Sequence, residues 1–126
     1  MLALVVLIVG LASRALPGVV GDLAGGALYT VLLHCLIVFS APTLRPLTAA
    51  LAAFGLSTLI ELAQLTPLPA MLAAAFAPAA LVFGTTFVPT DFIGYALGAA
   101  VAMAVDLLLL SRAFKRAWEA RRDDRV

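Results

Sequence analysis

Charged side chains are almost missing from the middle of this chain. Between Ala15 and Ser111 only five residues carry a charge, and four of the five are acids: Asp22, Arg45, Glu61, Asp91 and Asp106. Over the full 126 residues, 12% are charged and 64% are hydrophobic. A water-soluble domain needs a polar shell that this composition does not supply. We therefore expect an all-α integral membrane protein with one domain.

Cysteine and histidine are equally scarce. The chain has one cysteine, Cys35, and one histidine, His34. A single cysteine excludes an internal disulfide, and one cysteine with one histidine fits no familiar zinc spacing, so we expect no metal and no other cofactor. Most of the basic residues follow Leu110 in a short run that is mixed with acids. That distribution argues against nucleic-acid binding.

Long apolar runs fill the remaining sequence and predict a compact bundle of four transmembrane helices. Turn signals such as Leu16-Pro17-Gly18 and Thr66-Pro67 separate the runs. The predicted spans cover residues 2–15, 21–39, 47–65 and 90–110. The bundle then occupies residues 1–111, and residues 112–126 form a basic cytoplasmic tail.

The first predicted span is short. From Leu2 to Ala15 a helix reaches about 21 Å, which is less than the hydrocarbon thickness of about 30 Å. No basic residue precedes this segment and further spans follow it. An uncleaved span is therefore a better interpretation than a signal peptide, with Arg14 reaching the nearer interface.

The segment at residues 70–83 is apolar but too short for a full crossing, and it contains Pro78. These features are typical of a short re-entrant or interfacial helix, which we expect between the third and fourth spans. A fifth span would need Pro78 in the middle of a helix and would put the two termini on opposite sides of the membrane. Four spans are the better prediction.

The basic residues predict the orientation. The positive-inside rule makes the C-terminal tail cytoplasmic, Arg45 agrees after two crossings, and both termini are then cytoplasmic. Tail residues at helical spacing are expected to bind anionic lipid at the inner leaflet: Arg112, Lys115, Arg116 and Arg122. A docking helix for a soluble partner is the alternative interpretation of the tail.

With this topology, polar residues from several helix ends gather near the extracytoplasmic interface. Glu61 and Gln64 share a helical face because they are three residues apart. The candidate ligand-binding residues are Arg14, Asp22, Glu61, Gln64, Thr86 and Asp91. The alternative is structural: acids favour helix starts, and Arg14 pairs with Asp22 or Glu61 to close the bundle.

Small residues four apart predict helix-packing faces. Gly94 and Gly98 form such a face on the last span, and Gly21 and Gly25 offer the same spacing on the second span. Asp106 lies on the same stripe as Gly98, about 22 Å along the helix from Asp91. We expect its carboxylate to reach the cytoplasmic interface or to pair with an arginine of the tail.

His34 lies in the middle of the second predicted span. A functional interpretation is a proton relay or a ligand contact. We favour the structural interpretation, in which a neutral imidazole is hydrogen-bonded across helices. The neighbouring Cys35 is expected to be a small apolar packing residue.

Short motifs in a fixed order resemble a known family. They are Gly10-Leu11-Ala12-Ser13-Arg14, Leu16-Pro17-Gly18, Gly21-Asp22, Ile60-Glu61-Leu62-Ala63-Gln64-Leu65, Phe83-Gly84-Thr85-Thr86-Phe87 and Asp91-Phe92-Ile93-Gly94-Tyr95-Ala96-Leu97-Gly98. With them the chain resembles the bacterial membrane family called domain of unknown function 2809, and it is more distantly similar to VanZ-like proteins, named for teicoplanin resistance.

The resemblance implies a small multi-pass protein of the bacterial cytoplasmic membrane. It puts five of the candidate residues at the family's polar positions: Arg14, Asp22, Glu61, Gln64 and Asp91. No established reaction comes with it, and the VanZ-like link suggests the cell envelope by analogy. Family members often carry a basic residue in the loop before Gly84, where residues 73–77 of this chain have none.

Two classes of function follow. The chain is either a protein that binds a cell-envelope lipid or glycolipid-type ligand at its polar cluster, or an accessory subunit of a larger membrane complex. A subunit would pack on a membrane-protein partner, or on a second copy, through its glycine and alanine faces. An enzyme is less favoured because no nucleophile motif or metal box is present in the sequence.

Overall fold

The computed structural model describes residues 18–123, with side chains as far as Arg116. All regular secondary structure in that part of the chain is helical, as the sequence predicts. The helices are α1 (Val19–Ser40), α2 (Pro46–Ala63), α3 (Leu68–Ala75), α4 (Ala79–Phe83) and α5 (Asp91–Asp123).

Three of these helices are long and apolar enough to cross a membrane: α1, α2 and the Asp91–Arg116 part of α5. They coincide with the spans predicted at 21–39, 47–65 and 90–110. The span predicted at 2–15 lies outside the described residues. The described chain therefore contains three candidate crossings.

The apolar segment between α2 and α5 forms two short helices, and the prediction of a single short helix was wrong. α3 ends at Ala75, and Phe76 continues in an extended conformation with φ −146° and ψ 96°. Pro78 then begins α4 as its N-terminal flanking residue. Proline has no backbone N–H and disfavours helical geometry in the residue before it, so it interrupts the helix here.

The interior of the bundle is made of small and polar side chains. Its most buried hydrophobic residues are nearly all alanines: Ala49, Ala50, Ala53, Ala99 and Ala102. Large apolar side chains of α5 are exposed along a stripe of Ile93, Leu97, Val101 and Val105, and all four leucines at 107–110 are exposed as well. A soluble domain has the opposite arrangement. The outer surface suits contact with lipid, and the interior suits close approach of helices.

Glycines bring α1 and α5 together. A Cβ atom at Gly94 would lie 2.8 Å from the carbonyl oxygen of Leu23, and one at Gly98 would overlap the backbone of Ala27. On the α1 side the closely packed glycine is Gly26, where a Cβ would lie 3.3 Å from the carbonyl oxygen of Asp91. Because successive residues of α1 meet successive residues of α5, the two helices run parallel.

The remaining long helix of the bundle, α2, runs antiparallel to α1 and α5. Its last turn meets the start of α5, where Glu61 contacts Tyr95 and also Val88 of the preceding loop. The first turns of α1 and α5 and the last turn of α2 form what we name the cavity end. The opposite end, which contains residues 41–45 and 112–116, is named the basic end.

Candidate functional site

Glu61 is the organising residue of the cavity end. Its side chain is only 1% exposed, near the end of α2. One carboxylate oxygen, Oε1, accepts a hydrogen bond of 2.6 Å from the backbone N–H of Val88, and Oε2 accepts one of 2.5 Å from the Tyr95 hydroxyl. Such short bonds are typical of charge-assisted pairs. Glu61 thus joins α2 to α5 and to the loop that precedes α5.

Two more side chains hold the end of α4, where the segment that leads to α5 begins. The Tyr29 hydroxyl donates to the carbonyl oxygen of Val82 at 2.7 Å, and Gln64 Nε2 donates to that of Phe83 at 2.7 Å. The next residue, Gly84, has φ 64°, and a Cβ there would lie 2.5 Å from Gln64 Nε2. Only glycine fits both this backbone conformation and this close approach. The segment is therefore held firmly across the cavity end.

A cavity of about 350 Å³ lies between this segment and the helix ends. Its size falls within the range of small-molecule sites, about 300–1,000 Å³. Helices α1, α2 and α5 and the segment from Leu81 to Val88 supply its walls. The polar and small lining residues are Gly21, Asp22, Gly25, Gly26, Tyr29, Glu61, Gln64, Gly84, Thr85, Thr86, Asp91 and Tyr95.

The described cavity lining is rich in hydrogen-bond acceptors and contains no lysine or arginine. Asp22 lies in the first turn of α1 and Asp91 in the first turn of α5, where the helix dipoles stabilise an anion. Gln64 Oε1 is buried and has no hydrogen-bond partner among the described groups. The described walls therefore suit a ligand that donates hydrogen bonds.

Aromatic rings support one wall of the cavity. The Tyr95 ring packs at 6.5 Å from the Tyr29 ring and at 6.1 Å from that of Phe92, measured between ring centroids. Such tilted and edge-to-face arrangements are favourable for aromatic pairs. They fix the Tyr95 hydroxyl that bonds to Glu61.

The structure brings five of the six predicted ligand-binding residues to this one cavity: Asp22, Glu61, Gln64, Thr86 and Asp91. The sixth, Arg14, lies outside the described residues. Gly21 and Gly25, predicted to form a packing face, line the same cavity. Ligand binding by these residues stays a prediction. Both carboxylate oxygens of Glu61 already accept hydrogen bonds from other residues of the protein.

Sequence reasoning missed the two tyrosines of the site. Tyr95 lies four residues after Asp91, on the same face of α5, so helical spacing was an available signal. Tyr29 had no comparable signal, because its partner is the backbone carbonyl of Val82, fifty-three residues away. A long-range bond to a backbone carbonyl leaves no pattern in the sequence.

Two further polar pairs lie deeper in the bundle. Thr30 Oγ1 and Ser57 Oγ are 2.9 Å apart, and both residues are completely buried. One turn further along α1, His34 Nε2 lies 2.7 Å from Asp106 Oδ2. His34 is thus bonded across helices, as expected of it.

The expectation for Asp106, that it reaches the interface or pairs with a tail arginine, was wrong. His34 and Asp106 each lie fifteen positions after the first residue of α1 and α5. Because these two helices run parallel from a common end, the two side chains reach the same depth.

Among the described residues no cluster of three histidine, cysteine or acidic side chains could hold a metal ion.

One comparison with known proteins gave a match. A family model described as "Protein of unknown function (DUF2809)" matches residues 15–99, which is more than half of the chain. The matched range contains every residue that lines the cavity, whereas Asp106 and the basic end of α5 lie beyond it. No curated protein and no solved structure matches the chain significantly.

Proposed function

Because the chain belongs to the DUF2809 family, whose description assigns no function, we propose one from the cavity: the protein binds the polar headgroup of a cell-envelope lipid or glycolipid. The observation that carries the proposal is the cavity of about 350 Å³, whose described walls offer carboxylate and carbonyl acceptors. Sugar hydroxyls and ammonium groups are the headgroup donors that such walls would accept.

An amphiphilic ligand fits better than a wholly polar one. Apolar side chains line the cavity beside the polar groups: Leu28, Leu32, Ile60 and Leu81. The bundle around it exposes large apolar residues that suit lipid contact. A lipid could thus place its headgroup among the acids and its chains along the apolar surface, without leaving the bilayer.

The proposed location is the bacterial cytoplasmic membrane, with the cavity facing the extracytoplasmic side. Support comes from the charges at the basic end, where Arg45, Arg112, Lys115 and Arg116 favour the cytoplasm by the positive-inside rule. The same residues would hold anionic lipid of the inner leaflet, with Arg122 further along the tail. The VanZ-like resemblance also suggests the cell envelope.

Within the cavity we assign acceptor roles to Asp22, Asp91 and Gln64, and a donor role to Thr86. Arg14 would contact an anionic part of the headgroup, such as a phosphate. Glu61 would act on the ligand indirectly, because its bonds to Val88 and Tyr95 set the shape of the wall. Asp22 is the best residue to test, since it lines the cavity without holding the loop.

The test is native mass spectrometry of the full chain released from nanodiscs. The discs would contain equal parts of phosphatidylethanolamine, phosphatidylglycerol and a glycosyldiacylglycerol. We expect wild-type protein to retain the donor-rich glycolipid or ethanolamine lipid in preference to phosphatidylglycerol. Asp22→Asn should weaken that preference about ten-fold, equivalent to about 1.4 kcal/mol.

Leu97→Ala is the matched control, because Leu97 is exposed on the apolar surface of α5 away from the cavity. It should leave the lipid preference unchanged. Equal retention of all three lipids by wild-type protein, or an equal effect of both substitutions, would contradict the proposal.

A second candidate is an accessory role in a larger membrane complex. The observation that favours it is an apolar groove of about 240 Å³ between α2 and α5, lined by Leu47, Leu51, Phe54 and Met103 among others. The Gly94–Gly98 face is already covered by α1, so a partner or a second copy would use this groove. Purification in mild detergent separates the candidates, because a subunit should retain a stoichiometric protein partner.

A further inference from the structure

His34 and Asp106 are two ionisable residues that face each other inside the membrane-spanning bundle. Their Nε2 and Oδ2 atoms are 2.7 Å apart, with the histidine side chain 3% exposed and the aspartate side chain 25% exposed. Neither of them lines the cavity. Ionisable groups at membrane depth are costly, so such a pair needs a reason beyond filling space.

We propose that His34 and Asp106 form a proton-binding site within the bundle. In the proposed site, a neutral imidazole donates its Nε2–H to the carboxylate and keeps a lone pair on Nδ1. A proton that arrives adds to that lone pair and gives an imidazolium paired with the carboxylate. The pair then has no net charge, and the bond at Nε2 is kept.

The free nitrogen distinguishes this pair from a simple cross-link. His34 Nδ1 is buried and has no hydrogen-bond partner among the described residues. A purely structural histidine would be expected to have both ring nitrogens satisfied, because an unmade buried bond costs stability. Here one nitrogen holds the ring in place and the other is available to the proton.

Helix association does not need an ionisable pair at this level. α1 and α5 are already held by the close approach of Gly94 and Gly98 to the α1 backbone. One turn towards the cavity end, Thr30 and Ser57 join α1 to α2 with uncharged hydroxyl groups alone. A hydroxyl pair would have served the same purpose between α1 and α5 without burying charge.

Few other charges act on the pair. On α1 the nearest titratable group is the adjacent Cys35, and on α2 the only titratable residue is Glu61, which lies at the cavity end. On α5 no further ionisable residue occurs between Asp106 and Arg112. Arg112 comes six positions after Asp106, about 9 Å along the helix. Asp106 is therefore the one charged group bonded to the imidazole among the described residues.

The test uses the fact that His34 is the one histidine of the chain. In full-length protein labelled with ¹⁵N-histidine and held in nanodiscs, the imidazole signals report tautomer and protonation without further assignment. We expect the wild-type signals to change from the neutral to the doubly protonated pattern as the pH is lowered from about 9 to about 5. A neutral pattern throughout this range in folded protein would overturn the proposal.

Variants of Asp106 show whether the carboxylate is part of the site. At fixed pH, Asp106→Asn should lower the ratio of doubly protonated to neutral imidazole about ten-fold or more, because the favourable charge is removed. Asp106→Glu should preserve most of that ratio. Ser57→Ala is the matched control, since it breaks a neighbouring buried bond without changing charge. An unchanged ratio in Asp106→Asn, or an equal fall in Ser57→Ala, would contradict the assignment.

Discussion

The cavity end and the interior near the basic end use buried acids in different ways. At the cavity end both oxygens of Glu61 are bonded to the protein, and the polar groups around it surround an open space. Nearer the basic end, Asp106 bonds one ring nitrogen of His34, and the second nitrogen stays unpaired among the described groups. The first acid holds one wall of the cavity, and the second belongs to the pair that we propose as a proton-binding site.

The largest effect should come from removing the acid that builds the wall. Glu61→Ala leaves the Tyr95 hydroxyl and the Val88 N–H without their partner, so we expect a loss of about 3 kcal/mol or more in the free energy of unfolding. Glu61→Gln keeps one acceptor oxygen and should lose less. Equilibrium unfolding in mixed micelles measures both variants. A Glu61→Ala protein as stable as wild type would show that Glu61 does not organise this end.

A smaller loss is expected where the two regions are joined by helix packing. Gly98→Ala forces a methyl group into the backbone of Ala27, and overpacking of this kind costs about 1–3 kcal/mol. Gly55→Ala is the matched control, because a Cβ there meets nothing within 4 Å. The control should be neutral or slightly stabilising, since alanine favours helix. Equal unfolding curves for the two variants would contradict the close packing of α1 and α5.

The uncharged Thr30–Ser57 pair, which lies between the two regions, should contribute less to the free energy of unfolding. Ser57→Ala removes the hydroxyl that bonds to Thr30, and we expect a loss of about 1 kcal/mol in unfolding free energy. Thr30→Val and Thr30→Ala should each have a similar effect. A variant that combines Ser57→Ala with Thr30→Ala should lose less unfolding free energy than the sum of the two single losses. Full additivity in the double-mutant cycle would argue against the Thr30–Ser57 bond.

Asp22→Asn should have the smallest effect on stability, below about 0.5 kcal/mol, because surface-type substitutions rarely cost more. Its expected effect is on lipid retention, as described above. This variant separates the two kinds of acid: Glu61 changes should appear in unfolding, and Asp22 changes in lipid binding. A strongly destabilised Asp22→Asn protein would place Asp22 among the structural acids instead.

The sequence was sufficient to predict residues whose position depends on local signals. Asp22 and Asp91 lie in the first turns of helices, and Glu61 and Gln64 share one helical face near the end of α2. Helix boundaries alone therefore bring these residues to the same end of the bundle. The three helices that are long and apolar enough to cross a membrane follow in the same way from long apolar runs. These features need only the period and length of each helix.

Other features depend on how separate helices align with one another. No local sequence pattern predicts that alignment. The pairing of His34 with Asp106 needs the parallel register of α1 and α5, which is set by glycine contacts such as Gly98 on Ala27. The bond from Tyr29 to Val82 needs the position of α4 relative to α1. Asp106 was therefore assigned the wrong partner from sequence.

The most direct test of the central claim is to fill the cavity and measure lipid retention. Gly25 lines the cavity on α1, so Gly25→Leu should occupy space that the headgroup would need. Gly55→Leu adds the same side chain where a Cβ meets nothing within 4 Å. In native mass spectra from the mixed-lipid discs, we predict that Gly25→Leu loses the donor-rich lipid while Gly55→Leu keeps it. Retention of that lipid by a folded Gly25→Leu protein would contradict the claim that the cavity holds the headgroup.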